Sequence, residues 1–291
     1  MRRPLRPPPH LARKEGDVTK TTVTQVSDLQ AKEDRIREII REAAQPDRVL
    51  VGFSGGMDSS LLLWESVQTL GPERVTAVTA TSLTSFPEEL ESGKAFAGSL
   101  KVKHFVAPTG ECQDPAFLAN TEERCYVCKR IRYEMMRGLG QELGISVVFD
   151  GTQADDKPEE RPGMRALEEL GIRTPLAEAG VAKAEVKELL RAAGFPALAH
   201  KISQSCLATR IPTGYPITPT ALERLRHGEG FLKECGLTVF RLRDHHPLAR
   251  IATNSEGMEY LLESDTVRVK IVHGLTELGY QHVTLDLVEY G

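Results

Sequence analysis

The chain has 291 residues, 40% of them hydrophobic and 27% charged, and a formal charge of −4 from 37 basic and 41 acidic side chains. This composition indicates a globular protein of one large or two ordinary domains, and the acidic balance argues against a nucleic-acid partner. No apolar run approaches the roughly 20 residues that span a membrane, and five cysteines indicate metal or redox chemistry in a cytoplasmic protein rather than a disulfide framework.

The first elements surround a glycine-rich turn. Residues 1–26 are basic and proline-rich without an apolar segment behind them, so we expect a disordered extension and not a secretory signal. Residues 28–44 have helical periodicity, and Val49 to Phe53 is an apolar run typical of a buried parallel strand. The segment Ser54 to Ser60 (Ser-Gly-Gly-Met-Asp-Ser-Ser) interrupts that strand before a helix. Adjacent glycines and a helix N-terminus predict a phosphate or pyrophosphate site, although no Gly-Lys-Ser/Thr of the Walker type follows.

Strands and helices then alternate. Further strands are predicted at 74–81, 103–106 and 146–151, and further helices at 86–100, 125–143 and 183–193. This alternation predicts an α/β fold with a doubly wound parallel sheet, whose ligands bind beyond the carboxyl ends of the strands. Ser54, Thr81 and Asp150 fall at such ends.

Proline and glycine punctuate residues 211–219, and we place a domain boundary there, between 27–212 and 213–291. The second part predicts a smaller C-terminal α+β domain with an antiparallel sheet. Its elements are a helix at 220–234, strands at 238–243 and 249–253, a helix at 264–277 and a strand at 282–288.

Three cysteines could form one site. Cys125 and Cys128 form a Cys-x-x-Cys at a predicted helix start, where the helix dipole favours thiolate; the pair suits a redox disulfide, a metal site or simple packing. Cys206, in a polar loop, adds a third thiol. Three thiols leave one coordination position open, which on a 4Fe–4S cluster can bind an exogenous ligand such as hydrosulfide. With His200 as a fourth ligand, the site would instead suit zinc.

Two further segments carry charge that could bind anions. The segment from Asp150 to Arg165 concentrates carboxylates and arginines, which suits Mg²⁺ with polyphosphate but is equally typical of a solvated loop. Arg241 and Arg243 alternate on a predicted strand and so share one face, which suits a carboxylate or phosphate. Outward, solvated arginines would give the same pattern.

Together these blocks resemble the LarE family of PP-loop ATP pyrophosphatases, from about residue 28 to the C-terminus. The matching segments are 54–60, 150–156, 161–166, 169–171, 174–176, 206–212 and 241–243. The PP-loop alone is shared by many families, whereas the later blocks are more specific. The resemblance implies an ATP-dependent sulfur transferase of nickel-pincer nucleotide synthesis. ATP would adenylate a carboxylate of a pyridinium biscarboxylic acid mononucleotide, and sulfur would displace AMP to give a thiocarboxylate.

The resemblance also implies roles for individual residues, with ATP, Mg²⁺ and a 4Fe–4S cluster as cofactors. The resemblance implies that Asp58, Asp156 and Cys206 are catalytic. ATP contacts fall to Ser54, Gly55, Gly56, Asp58, Ser59, Ser60, Thr81, Gly151 and Arg210. Substrate contacts fall to Arg165, Glu229, Arg241 and Arg243, and cluster ligands are Cys125, Cys128 and Cys206. One variant of the family sacrifices a cysteine in the loop of Cys206, but three cysteines match the cluster-dependent variant. A sulfide or persulfide donor and a homo-oligomer are also implied.

The chain departs from the family pattern at two positions, and other functions remain open. Thr213 and Ala252 stand where many members have Tyr and Glu, which affects substrate contacts and not the ATP site. A PP-loop tRNA thiolase would bind bulk tRNA in a salt-dependent way. An ammonia-dependent amide synthetase would not need the cysteines, and a nucleotide sensor with structural zinc would release no pyrophosphate.

Overall fold

The computed structural model describes residues 16–44, 48–156, 162–201 and 204–290, with side chains from residue 27 onward. The strands are β1 (Val49–Gly52), β2 (Val75–Thr81), β3 (Lys103–Pro108), β4 (Val147–Phe149), β5 (Phe240–His245), β6 (Leu248–Thr253) and β7 (His282–Leu285). The helices are α1 (Gly16–Ala43), α2 (Met57–Leu70), α3 (Pro87–Ser99), α4 (Pro115–Leu118), α5 (Arg124–Leu143), α6 (Gly163–Glu169), α7 (Pro175–Glu178), α8 (Lys183–Ala192), α9 (Pro196–Ala199), α10 (Pro219–Glu234), α11 (Ser255–Glu263) and α12 (Asp265–Glu277).

The predicted N-terminal extension lies mostly outside the described residues. Residues 1–15 are not described, and the remainder, from Gly16, forms the beginning of α1. In the described chain, no helix combines the length and apolar character needed to cross a membrane.

The first sheet is parallel, as predicted, with strand order β3-β2-β1-β4. In the central strand, Val51 stands opposite Ala77 of β2 and Phe149 of β4. All four residues of β1 are buried, as its unbroken apolar sequence requires when both faces are covered. The carboxyl ends of β1, β2 and β4 therefore meet at one edge, which carries the glycine-rich turn.

Helices cover both faces of this sheet, which confirms the doubly wound α/β fold. Val49 and Val51 point to a core shared with α1, α2, α3 and α8. Leu50, Val78 and Val148 point the other way, to a core shared with α5 and α6. Alternate residues of a strand face opposite sides, so each strand contributes to two cores.

The second sheet is mixed, and the prediction of an antiparallel sheet was wrong for its last strand. β5 pairs antiparallel with β6, but β7 pairs parallel with β6. The reason is the connection: α11 and α12 lie between β6 and β7, and a helical crossover returns the chain in the parallel direction. Leu232, Leu242, Ile251 and Leu275 form the core of this part.

The packing of α1 on α2 buries a carboxyl whose ionisation should affect stability. Glu65 is 1% exposed, and Arg37 Nε donates to it at 2.8 Å. Burial raises the pKa of Glu65 from 4.5 to about 7, and Arg37 only partly offsets this effect. Because the pKa is higher in the folded state, the contribution of Glu65 to stability is complete below pH 4.5 and is lost as the pH rises through 7.

We therefore expect the variant Glu65→Gln to flatten the pH dependence of unfolding. Between pH 5 and 8 the free energy of unfolding of the wild type should fall by on the order of 2 kcal/mol more than that of the variant. Urea unfolding at several pH values measures this difference. Glu38→Gln, on the exposed side of α1, is the control, and parallel curves for wild type and Glu65→Gln would contradict the assignment.

Candidate functional site

Hydrogen bonds of serine hydroxyls stabilise the turn between β1 and α2. Ser59 Oγ accepts a hydrogen bond from the Ser54 N–H at 3.2 Å and lies 3.1 Å from Ser54 Oγ. Gly55 has a φ of 75°, a conformation in which glycine is strongly favoured. Gly56 caps α2 without any side-chain hydrogen bond, so the first N–H groups of the helix remain available to an anion.

A cavity of about 340 Å³ opens on this turn. Predicted residues that line it are Ser54, Gly56, Asp58, Ser59, Gly151 and Asp156, together with Cys128. It also contains four cationic side chains (Lys129, Arg132, Lys183, Lys201) and four carboxylates (Asp58, Glu89, Asp150, Asp156). Each of these cations already has a partner: Asp150 for Lys129, Glu111 for Arg132, Asp58 for Lys183 and the Gly55 carbonyl for Lys201. A polyphosphate must compete with those partners.

Asp150 anchors the side of the cavity that follows β4. Lys129 Nζ donates to Asp150 Oδ2 at 2.9 Å, and the Thr152 N–H donates to Oδ1 at 2.7 Å. Burial by itself would raise the pKa of Asp150, but the charge of Lys129 and the hydrogen bonds from Thr152 and Tyr133 hold that pKa below its usual range. The ionised carboxylate therefore joins α5 to the loop that carries Asp156.

This loop touches the backbone of the first turn of α2 at Gly151. A β-carbon on Gly151 would lie 2.8 Å from the Ser59 nitrogen and 3.0 Å from its α-carbon. Only a residue without a side chain allows this approach, because backbone atoms cannot move aside as a flexible side chain can. The contact fixes Asp156 and Thr152 relative to α2.

We expect Gly151→Ala to separate the loop from α2. Overpacking of this kind costs about 1–3 kcal/mol of stability, and a displacement of about 1 Å near the reacting groups costs about 100-fold in rate. Pyrophosphate release from ATP measures the second effect. Gly138→Ala on α5, where an added β-carbon meets no atom within 4 Å, is the control, and equal rates for the two variants would contradict the role of this contact.

The three cysteines come into one region beside the cavity. Cys128 lines the cavity and Cys125 is exposed at the start of α5. Burial raises the pKa of the Cys128 thiol to about 12; Arg132 lowers this pKa, and Cys206 and Cys125 are near enough to raise it. In the described part of the chain, no three Cys, His, Asp or Glu side chains are arranged to hold a metal ion. His200, the alternative zinc ligand, is exposed at the end of α9.

A second cavity of about 410 Å³ lies between the first turn of α3 and the second sheet. Glu229 and Arg241, both predicted substrate contacts, line it, and it shares Glu89 and Gln204 with the first cavity. Burial, together with the charge of Arg210, lowers the pKa of Arg241. The two cavities therefore adjoin at residues that contact both.

Arg210, a predicted ATP contact, lines neither cavity, and its contact with ATP stays a prediction. Its side chain is fully buried and forms a bidentate pair with Glu229, with Nε–Oε1 at 2.8 Å and a second contact at 3.1 Å. It also donates to the carbonyl oxygens of Ser205 at 2.5 Å and Cys206 at 3.2 Å. Arg210 thus joins the cysteine loop to α10. Arg243 supports the same loop by donating to the Thr209 carbonyl at 2.9 Å.

Five other predicted ATP or substrate contacts also line neither cavity: Gly55, Ser60, Thr81, Arg165 and Arg243. The hydroxyl of Ser60 is buried within α2, and Thr81 Oγ1 donates to the Ala107 carbonyl at 3.4 Å. Arg165 is half exposed, pairs with Glu123 and lies 4.1 Å from the ring centre of Tyr126. The assignments of Ser60 and Thr81 to ATP and of Arg165 to substrate stay predictions.

Sequence reasoning missed several cavity residues. Lys129 and Arg132 lie one and four positions after Cys128 on α5, so the helical period could have placed them beside it. Lys183 is the first residue of α8, and Lys201 donates to the Gly55 carbonyl at 2.9 Å. No local pattern marks the last two, because their partners lie more than a hundred residues away in sequence.

Comparison with known proteins agrees with this geometry. The family model described as NAD synthase matches residues 28–136, which contain the phosphate-binding turn. The chain is 36% identical over 262 residues to an uncharacterized protein of Synechocystis sp., covering 90% of this chain and 96% of that protein. A 62-residue match, at 36% identity, to the glutamine-dependent NAD(+) synthetase of Thermotoga maritima covers 21% of this chain and 11% of that enzyme.

A further relative matches most of the chain. The chain is 30% identical over 241 residues to the pyridinium-3,5-bisthiocarboxylic acid mononucleotide synthase of Lactiplantibacillus plantarum, covering 82% of this chain and 86% of that enzyme. The NAD synthase match stops within α5, whereas this one is long enough to extend over both sheets. The chain therefore belongs to the LarE family, and it is an ATP-dependent sulfurtransferase of the PP-loop ATP pyrophosphatase type.

Proposed function

We propose that this protein adenylates a carboxylate of a pyridinium biscarboxylic acid mononucleotide and converts it to a thiocarboxylate, with sulfur delivered through a 4Fe–4S cluster on Cys125, Cys128 and Cys206. The name of the L. plantarum relative supports the substrate. One observation carries the rest: Cys128 lines the same cavity as the phosphate-binding turn. A nucleophile held there meets the carboxylate where ATP activates it.

The first cavity would bind ATP through its backbone. The uncapped N–H groups at the start of α2 suit the phosphates. Asp58 and Asp156 supply carboxylate oxygens, the ligands that Mg²⁺ prefers, in the same cavity. The donor set therefore fits Mg²⁺, which supplies charge neutralisation on the polyphosphate when it is bound.

The second cavity would bind the nucleotide substrate. Arg241 suits a carboxylate or phosphate, and its lowered pKa reflects burial near another arginine, an arrangement that an anion would relieve. Because Glu89 and Gln204 line both cavities, a carboxylate bound in the second cavity can reach the α-phosphate of ATP bound in the first.

The reaction needs activation because a carboxylate is a poor electrophile. A carboxylate oxygen attacks the α-phosphorus, the bond between the α- and β-phosphates breaks, and pyrophosphate leaves. A sulfide then attacks the carbonyl carbon, and the carbon–oxygen bond to AMP breaks as the carbon–sulfur bond forms.

Three thiols fit the proposed cluster by their chemistry. Thiolates are the usual ligands of iron–sulfur clusters, and three of them leave one iron open to an exogenous sulfide. Burial otherwise keeps the thiol of Cys128 neutral. A bound metal would also favour its deprotonation. When present, the cluster supplies the sulfide nucleophile. We further expect a sulfide or persulfide donor, a homo-oligomer and a cytoplasmic location.

The test is a reaction with ATP, Mg²⁺, sulfide and the pyridinium biscarboxylic acid mononucleotide under nitrogen. We expect substrate-dependent release of pyrophosphate and AMP and, by mass spectrometry, replacement of a carboxylate oxygen by sulfur. Asp58→Ala should abolish the release. Pyrophosphate release that depends on bulk tRNA, or product formed from ammonia without sulfide, would replace the proposal with a tRNA thiolase or an amide synthetase.

A further inference from the structure

The phosphate-binding turn has no lysine of its own, but one reaches it from a distant helix. Lys183 Nζ donates to both carboxylate oxygens of Asp58, each at 2.7 Å, across a separation of 125 residues. Both side chains line the first cavity together with Ser54 and Gly56. The backbone of Lys183 is held in place, because it is the first residue of α8 and its N–H donates to Asp155 Oδ2 at 2.7 Å.

This ion pair is the most exposed of those in the cavity. The side chains of Lys183 and Asp58 are 35% and 29% exposed. By contrast, Lys129 pairs with an aspartate that is 11% exposed, and Arg132 with a glutamate that is fully buried. A partly exposed pair stabilises a fold by at most about 1 kcal/mol. The fold therefore loses little if Lys183 changes its partner.

A bound polyphosphate would offer the ammonium group of Lys183 a second anionic partner. Asp58 lies in the first turn of α2, so its negative charge repels an anion bound at that N-terminus. Mg²⁺ binds carboxylate oxygens readily, and on Asp58 it would replace the ammonium group as counter-ion. The four-carbon stem of lysine then allows its ammonium to reach a nearby phosphate oxygen.

We propose that Lys183 is the phosphate-binding lysine of this enzyme: it exchanges Asp58 for the β- and γ-phosphates as Mg²⁺ binds Asp58, and it stabilises the charge of the departing pyrophosphate. This inference rests on the proposed activation of ATP. An ammonium group near a leaving group is effective because negative charge grows there as the bond between the α- and β-phosphates breaks.

The test measures binding of α,β-methylene-ATP, which cannot be cleaved at the reacting bond, by calorimetry with and without Mg²⁺. Lys183→Met should weaken binding in the presence of Mg²⁺ by about 10- to 100-fold, the usual effect of a lost hydrogen bond to a charged group. Lys183→Arg should restore part of the affinity. Lys187→Met, one turn along α8 and not among the residues that line the cavity, is the control and should bind like the wild type.

A second background separates phosphate binding from simple neutralisation of Asp58. In Asp58→Asn, Mg²⁺ should increase the affinity for α,β-methylene-ATP less than it does in the wild type, because the carboxylate is gone. Lys183→Met in that background should still weaken binding if the lysine contacts phosphate, and should have no effect if its role is to neutralise Asp58. The latter result would overturn the inference.

The wild type distinguishes this inference from the proposed function. Failure of the wild type to bind α,β-methylene-ATP would refute ATP activation itself. Tight binding by the wild type and equal binding by Lys183→Met in both backgrounds would refute the role of Lys183 alone. Thermal unfolding of each variant checks that α8 remains folded.

Discussion

Replacement of Arg210 by methionine is expected to destabilise the protein by about 3–5 kcal/mol, because it leaves a buried carboxylate without its counter-ion. Glu229 is 7% exposed, and its oxygens accept from Arg210 and from the Leu242 N–H at 3.1 Å. The Arg210 guanidinium is itself 0% exposed, so both members of the pair are buried. Urea unfolding gives the loss directly.

The double variant Arg210→Met/Glu229→Met should recover part of this loss, since it removes the uncompensated charge as well. Arg191→Met, which removes an exposed pair with Glu188, should cost less than about 1 kcal/mol. A cost for Arg210→Met as small as that of Arg191→Met would show that the buried pair does not hold the cysteine loop to α10.

Replacement of Cys206 by serine is expected to abolish thiocarboxylate formation while leaving pyrophosphate release close to that of the wild type. The reason is that Cys206 lines neither cavity, so ATP and the carboxylate still meet without it. We expect the rate of sulfur transfer to fall by at least about 100-fold, because Cys206 acts only in the step that follows activation of the carboxylate. Both products can be followed in one anaerobic reaction.

Cys235→Ala is the matched control, because Cys235 is buried in the C-terminal core and lines neither cavity. It should retain both activities. Full sulfur transfer by Cys206→Ser would contradict the role of the third cysteine and would favour an enzyme that uses free sulfide directly.

The parallel sheet could be predicted because β1 is an apolar run that only a sheet covered on both faces can bury, and because strands and helices alternate after it. The second sheet was harder to predict. α11 was not recognised, and the direction of β7 depends on the crossover that α11 and α12 form together. Short helices such as α4 and α7, each of four residues, are below the length at which periodicity indicates a helix.

The site was predictable where its residues are close in sequence. The turn from Ser54 to Ser59 has the geometry that its glycines and serines indicate. The position of Lys183 against Asp58 was not predictable, because it depends on how α8 packs beside α2. The partner of Arg210 was not predictable either, because the buried glutamate that pairs with it lies on another helix.

The most direct test of the central claim is the iron and acid-labile sulfide content of protein purified without oxygen, compared with that of Cys125→Ala. If the three cysteines deliver sulfur through a cluster, the wild type will contain about four iron and four sulfide per chain, with a broad visible absorption that the variant lacks. Stoichiometric zinc, or wild-type protein without iron that nevertheless forms thiocarboxylate, would contradict this account and point to Cys206 as a sacrificial donor.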